Sequence, residues 1–221
     1  MKTIKTFLAL GLLSMLAAST GCASLPKWLE DEQDHPPYTP VNFRGDAQLA
    51  PDLQRIALLP LHGGAAATAE ITAALDPVLL TALQRQIRFE VVVVSREDCE
   101  KLFGAGDFAS TAALPHGFLE KLAEKYAVDA VLFVDLTVLH AYPPLTLGLR
   151  AKLATVREVR LVWAFDEMFS AADDKMVNSV RQFHRAGDRS APVDSTPAVL
   201  QSPARFGAVA ADLMFHTLPP R

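Results

Sequence analysis

Between Leu145 and Phe165 the large apolar residues fall on every second position. Leu145, Leu147, Leu149 and Leu153 are followed, after a short polar turn near Thr155 to Glu158, by Val159, Leu161, Trp163 and Phe165. Intervening positions include Thr146, Arg150, Lys152, Arg160 and Asp166. A period of two belongs to a strand that buries one face and leaves the other to solvent. Just upstream, VLFVDLTVL after Asp129 is a further apolar run, divided from LTLGLRAKL by Tyr142-Pro143-Pro144. Three such runs with short connections predict an antiparallel meander over Asp129 to Glu167, which the rest of the chain must cover or extend.

Upstream of the meander the expected order is strand, helix, strand, helix, helix. Ile56 to Leu61 is a continuous apolar run ending at His62-Gly63-Gly64, a buried strand and then a turn. From Thr68 to Gln86, Ile71, Leu75, Val78, Leu79, Ala82 and Leu83 recur at three and four, the spacing of an amphipathic helix. Pro77 inside it predicts either a kink or a second segment capped by Asp76. Phe89 to Val94 reads as a strand buried on both faces. Ser95-Arg96-Glu97-Asp98 is a capping box opening a helix to Phe103, and Pro115 to Tyr126 forms another, with Phe118, Leu119, Leu122 and Tyr126 on one side.

Beyond the meander, a helix is expected over Asp173 to Phe183 and a surface loop over Gly187 to Gln201. A last helix opens at Ser202-Pro203 and stops at Pro219-Pro220, with Phe206, Val209, Ala210 and Leu213 as its face. Parallel strands need crossover helices, whereas antiparallel ones join through tight turns. The fold class is therefore α/β, a single mixed sheet of about five strands covered by helices. Two early strands have crossover helices, and the three-strand meander follows.

Residues 1 to 21 have a basic start and an apolar run from Phe7 to Ala18, shorter than the ~20 residues a helix needs to span a bilayer. That is the pattern of a cleaved secretory signal. The formal net charge is −4, and it becomes −6 once Lys2 and Lys5 leave with the signal. A mildly acidic chain has no generic attraction to phosphate backbones, which argues against nucleic acid as a partner. Residues 22 to 52 hold Trp28, the run Glu30-Asp31-Glu32, and Pro36, Pro37 and Pro40 without sustained periodicity. They read as a tether, ~100 Å when fully extended. The α/β domain is expected over 53 to 221.

Ser19-Thr20-Gly21-Cys22 resembles the lipobox of bacterial lipoproteins, with Ser19 where that family usually has leucine. The resemblance implies cleavage before Cys22, a diacylglycerol and palmitate on Cys22, and a membrane as partner through that anchor. Several acyl chains hold a protein to a membrane far better than one. Ala23 stands where inner-membrane retention in enteric bacteria asks for Asp. The implied destination is the outer membrane, inner leaflet, facing the periplasm.

RIALLPL at 55 to 61, FEVVVVSRED at 89 to 98, DAVLFVDLTVLHAYPPLTLGLRAKL at 129 to 153 and VWAFDEMFSAAD at 162 to 173 resemble a group of periplasmic domains. The group comprises the amino-terminal domain of TolB, the penicillin-binding-protein activator LpoB, the curli secretion lipoprotein CsgG and the Pel polysaccharide lipoprotein PelC. It implies a role in binding envelope proteins or in assembling as a homo-oligomer, and it carries no catalytic residues over. The long apolar segment from which the curli protein builds a membrane barrel has no obvious counterpart.

The residues themselves offer little chemistry. Gly63-Gly64 between strand and helix belongs to no GxxxxGK[ST] or GxGxxG pattern, and a tight turn accounts for it. His35, His62, His116, His140, His184 and His216 are scattered singly, giving no zinc spacing. With Cys22 acylated, Cys99 has no partner for an internal disulfide and reads as a packed thiol. Asp166-Glu167 and Asp173-Asp174 read as turn and cap carboxylates. No cofactor, metal or catalytic residue is expected. An enzyme would require two or more of Cys99, His62, His116, Asp135 and Asp166 to converge in a pocket. Tyr142, Pro143 and Pro144 are the partner-binding candidates, a stiff aromatic turn with little entropy to lose. Arg150, Lys152 and Arg160 suggest a basic strip on the exposed sheet face.

Overall fold

The computed structural model describes residues 36–187 and 196–221. The signal, Cys22, Trp28 and the acidic run at 30 to 32 lie outside the described residues. In chain order the elements are β1 (Phe43–Gly45), β2 (Arg55–Leu58), α1 (Ala69–Arg85), β3 (Glu90–Val93), α2 (Arg96–Phe103) and α3 (Phe118–Tyr126). There follow β4 (Ala130–His140), β5 (Thr146–Thr155), β6 (Leu161–Ser170), α4 (Asp174–Gly187), α5 (Thr196–Val199) and α6 (Pro203–His216).

The meander forms as expected, with β4 antiparallel to β5 and β5 antiparallel to β6. On the other side of β4 lie β2 and then β3, both parallel to it, and the full order is β1-β6-β5-β4-β2-β3. The sheet thus has six strands, close to the expected five. The additional one is β1, three residues paired antiparallel with β6 through Phe43↔Phe165.

β1 also moves the domain boundary. The tether expected over 22–52 is packed from Pro36 onward, and the compact unit runs Pro36–Arg221 rather than 53–221. Glu167 explains much of this. It sits on the core side of β6, opposite Leu149, where an unpaired carboxylate would be costly. Its oxygens accept from Tyr38 Oη at 2.6 Å, from Val41 N at 3.0 Å and from Asn42 N at 3.3 Å. Burial and that neighbouring carboxylate push the Tyr38 phenol well above its ordinary pKa. The Tyr38 ring also packs on Phe169 at 5.5 Å. Glu167 is therefore an anchor for this segment rather than a turn residue.

Two cores follow from the strand alternation. One side of the sheet, with Leu132, Leu149, Trp163 and Phe165, packs against α1, α4 and α6. The opposite side holds Ala57, Val131 and Phe133 beneath Cys99 of α2 and Phe118, Leu119 and Leu122 of α3. This second core reaches only as far as β4. Among the described residues, β4 and β2 are covered on both sides, whereas β5, β6 and β1 are covered on one.

Helix ends follow their sequence signals. Thr68 caps α1, Ser202 caps α6, and Ser95 accepts from Asp98 N at 3.0 Å while donating to its carboxylate. Gly104 closes α2 in the left-handed region at φ 80°, where a side chain would be strained. α1 runs through Pro77 as one helix, so Asp76 starts no second segment. β3 is not buried on both faces. It is the sheet edge, and Val93 is 53% exposed. Strict alternation also fails in β6. Leu153 opposes Trp163 but Ala154 opposes Leu161, leaving Val162 as a bulge. The extra residue buries Val162 beside Trp163 and turns Leu161 outward, 50% exposed, with Val159 exposed in the preceding turn.

Candidate binding face

The uncovered side of β5, β6 and β1 is built by alternation. β5 presents Arg150 and Lys152, β6 presents Ala164, Asp166 and Met168, and β1 presents Arg44. Arg150 and Asp166 are directly opposed, and their side chains pair at 2.7 Å. Above them the loop between α2 and α3 forms a wall. Lys152 Nζ donates to Ser110 O at 2.8 Å. Ser110 in turn donates through N and Oγ to the two oxygens of Asp135, at 2.9 and 2.6 Å. Asp135 is only 4% exposed and stands opposite Arg150 in β4, so it latches this loop at the border of the covered region. Between the loop and β1 lies a hollow of about 400 Å³, lined by Asn42, Arg44, Thr111, Arg150, Lys152 and Asp166 over a floor at Phe43, Ala164 and Phe165. Arg160, expected in the same strip, is not part of it. The bulge places it in the turn region, where it pairs with Asp46 at 2.7 Å and Glu158 at 3.3 Å.

A second polar cluster closes the C-terminal ends of the parallel strands. His62 Nδ1 lies 2.6 Å from Asp107 Oδ1, and Arg96 bridges Asp107 and Asp76 at 2.5 and 3.0 Å. Asp76 also accepts from Leu61 N, and Arg96 donates to Leu61 O. The cluster joins α1, the start of α2 and two loops. Sequence reading missed Asp76, Arg96 and Asp107 in this role because they belong to three separate segments. No spacing rule links them; only the β2-α1-β3-α2 crossover brings them together.

The residues whose convergence an enzyme would need are dispersed. His62 and Asp135 meet through a main-chain bridge, but their side chains turn to Asp107 and Ser110. Cys99 is fully buried, and burial pushes its thiol up to about 11. His116 is exposed, and Asp166 pairs with Arg150. Among the described residues no three His, Cys, Asp or Glu side chains are placed to hold a metal ion. Tyr142, Pro143 and Pro144 form the β4–β5 turn. Tyr142 is 87% exposed and so does not fold back on the sheet edge. Among the described residues no helix is long and apolar enough to cross a membrane.

No protein-family model matches the chain, and no curated protein matches it. Several solved structures are similar to it. One is the PelC dodecamer from Paraburkholderia phytofirmans, at 12% identity over 78% of this chain and 96% of that one, with a TM-score of 0.43. Another is lipoprotein GNA1162 from Neisseria meningitidis, at 18% identity over 61% and 99% of the two chains, with a TM-score of 0.43. A third is the LpoB C-terminal domain from Salmonella enterica, at 16% identity over 54% and 87%, with a TM-score of 0.35. PelC and LpoB, two members of the group that the sequence resembles, are thus among the solved structures to which this chain is similar. At these scores the likeness assigns no activity.

Proposed function

We propose that this chain is a lipid-anchored, non-catalytic domain of the cell envelope that binds or scaffolds other envelope proteins. Cys22 and its preceding signal support the anchor, and Ala23 supports the inner leaflet of the outer membrane, facing the periplasm. The observation that carries the binding role is the half-covered sheet, whose open side holds a walled hollow, together with the projecting Tyr142 of the adjoining hairpin. With packing from Pro36, about 14 residues separate it from Cys22, a span of at most ~50 Å. Such a span favours a partner close to the membrane.

A second reading, a ring-forming component of a secretion or polysaccharide export system, is favoured by one further observation. Both terminal strands, β1 and β3, lack an outer strand partner among the described residues. Pairing one edge with the other edge of an identical copy is a head-to-tail contact, which closes into rings or runs into filaments. Light scattering on residues 23–221 across a concentration range separates the readings. A monomer of about 22 kDa supports the adaptor, and a discrete large oligomer supports the ring. Cross-linking from position 142 in living cells then identifies the partner. Absence of any cross-linked envelope protein, together with an unlipidated Cys22 by mass spectrometry, overturns both.

A further inference from the structure

The hollow on the open face differs in charge from the molecule around it. The whole chain carries −4, yet Arg44, Arg150 and Lys152 face this hollow against one carboxylate, Asp166. Arg150 engages Asp166 through Nε, and Lys152 gives one of its three donors to Ser110 O. Arg44 is exposed and, among the described residues, has no ion pair or side-chain hydrogen bond. Cations gathered around one cavity repel each other until an anion enters, and the planar forks of two arginines suit carboxylates in particular.

The shape of the lining narrows the class of anion. Phe43 and Phe165 oppose each other on the helical side of the sheet, and Phe165 is stacked between Trp163 and Phe169. Phe43 and Phe165 contribute to the lining, but the strand register turns their side chains to that other side, so the hollow itself offers cations, the Asn42 amide, the Thr111 hydroxyl and the Ala164 methyl. One wall is β1, whose outer side has no strand partner among the described residues. Unclaimed main-chain groups beside carboxylate-binding side chains match an extended polypeptide.

We propose that this hollow receives an extended acidic segment of a partner protein. Its Asp and Glu carboxylates go to Arg44, Arg150 and Lys152, and its main chain runs along β1. The proposal rests on the binding role given above and specifies the partner's chemistry. The test is fluorescence anisotropy of a labelled glutamate-rich peptide titrated with residues 23–221. Binding is expected, weakened about tenfold or more by Arg44→Glu. Arg157→Glu makes the same charge change at a side chain 86% exposed in the β5–β6 turn, and should weaken it less than about twofold. The Arg44 side chain makes no ion pair or hydrogen bond among the described residues, so Arg44→Glu should unfold at the wild-type temperature, and Lys152→Gln gives a second loss.

Equal losses in the two glutamate variants would mean diffuse attraction and overturn the assignment. Tighter, Arg44-dependent binding of an alginate oligomer would make the hollow a polyuronate site and overturn it too. If the peptide fails to bind while Tyr142 cross-links still capture an envelope protein, the groove assignment falls and the binding role stands. If both fail, both fall.

Discussion

The two halves of the sheet are built from the same kind of strand and end up as different materials. β2 and β4 are covered by helices on both sides, and their residues from Ile56 to Leu58 and from Ala130 to Leu136 are almost wholly buried. Along their middles β5 and β6 alternate buried Leu149, Ala151, Leu153, Trp163 and Phe165 with the more open Arg150, Lys152, Ala164 and Asp166. The difference comes from connectivity. The crossovers that parallel strands require bring α1 to one side and α2 and α3 to the other, whereas the hairpins of the meander bring no helix with them. Stability is therefore concentrated in the doubly covered half, and recognition is left to the singly covered half.

The largest expected effect tests the covered half. Phe118 is 2% exposed, with the rings of Phe103, Phe108 and Phe133 at 4.2, 4.8 and 6.0 Å. Phe118→Ala should cost about 3–5 kcal/mol through lost burial and the cavity left behind. Met168→Ala, on the open side at 59% exposure, should change stability by less than ~0.5 kcal/mol. Urea unfolding with unchanged m-values is the measurement, and comparable losses in the two variants would erase the contrast.

The border between the halves comes next. Asp135→Ala removes both acceptors of the Ser110 N and Oγ bonds and leaves those donors beneath the loop. The expected cost is about 1–3 kcal/mol, together with faster amide exchange at Ser110. Exchange at Phe133 should hardly change. If Ser110 stays protected, Lys152 alone holds the loop.

How much of this contrast was legible in the sequence depends on range. Local signals read true: the Ser95 and Ser202 caps, and the alternation that put Arg150 and Lys152 outward. What failed was set by distant partners. Phe89 to Val94 has the composition of a central strand, and only the strand order makes it an edge. Phe43–Gly45 is too short for any periodicity and becomes a strand because Phe165 is there to pair with it. Arg44 was accordingly missed, as were Asn42 and Thr111, while Arg150 and Lys152 were seen. The Val162 bulge leaves no mark in a sequence that alternates without a break, so Leu161 was placed on the wrong face and Arg160 in a strip that it does not join.

Cys99 extends the comparison to alkaline pH. Burial in the second core raises its thiol from 9.0 to about 11, so the native state keeps the proton that the unfolded chain gives up first. Between about pH 9 and 11 the unfolded state binds fewer protons, and stability must fall as pH rises through that window. Below it the group contributes no slope. Cys99→Ala should flatten the alkaline limb of a stability–pH curve, and a thiol reagent should label native Cys99 slowly at neutral pH. Rapid labelling would show that α2 opens locally and that this half is less closed than its burial indicates.

The smallest effect on stability is expected where the effect on function should be greatest. Tyr142 sits at the tip of the β4–β5 hairpin with 87% of its surface free, so Tyr142→Ala gives up almost no burial. Its unfolding midpoint should lie within the ~0.5 kcal/mol typical of exposed positions. If the turn is an anchor for a partner, truncating an exposed aromatic there should still reduce co-purification of that partner severalfold, because interface energy collects on such residues. Pro143 and Pro144 follow it in the same exposed turn, which limits the chain entropy the tyrosine has to lose. A variant that kept both wild-type stability and wild-type partner yield would confine recognition to the hollow around Arg44. One that lost stability by more than ~1 kcal/mol would place Tyr142 in the fold's own packing and remove the clean division between the two halves.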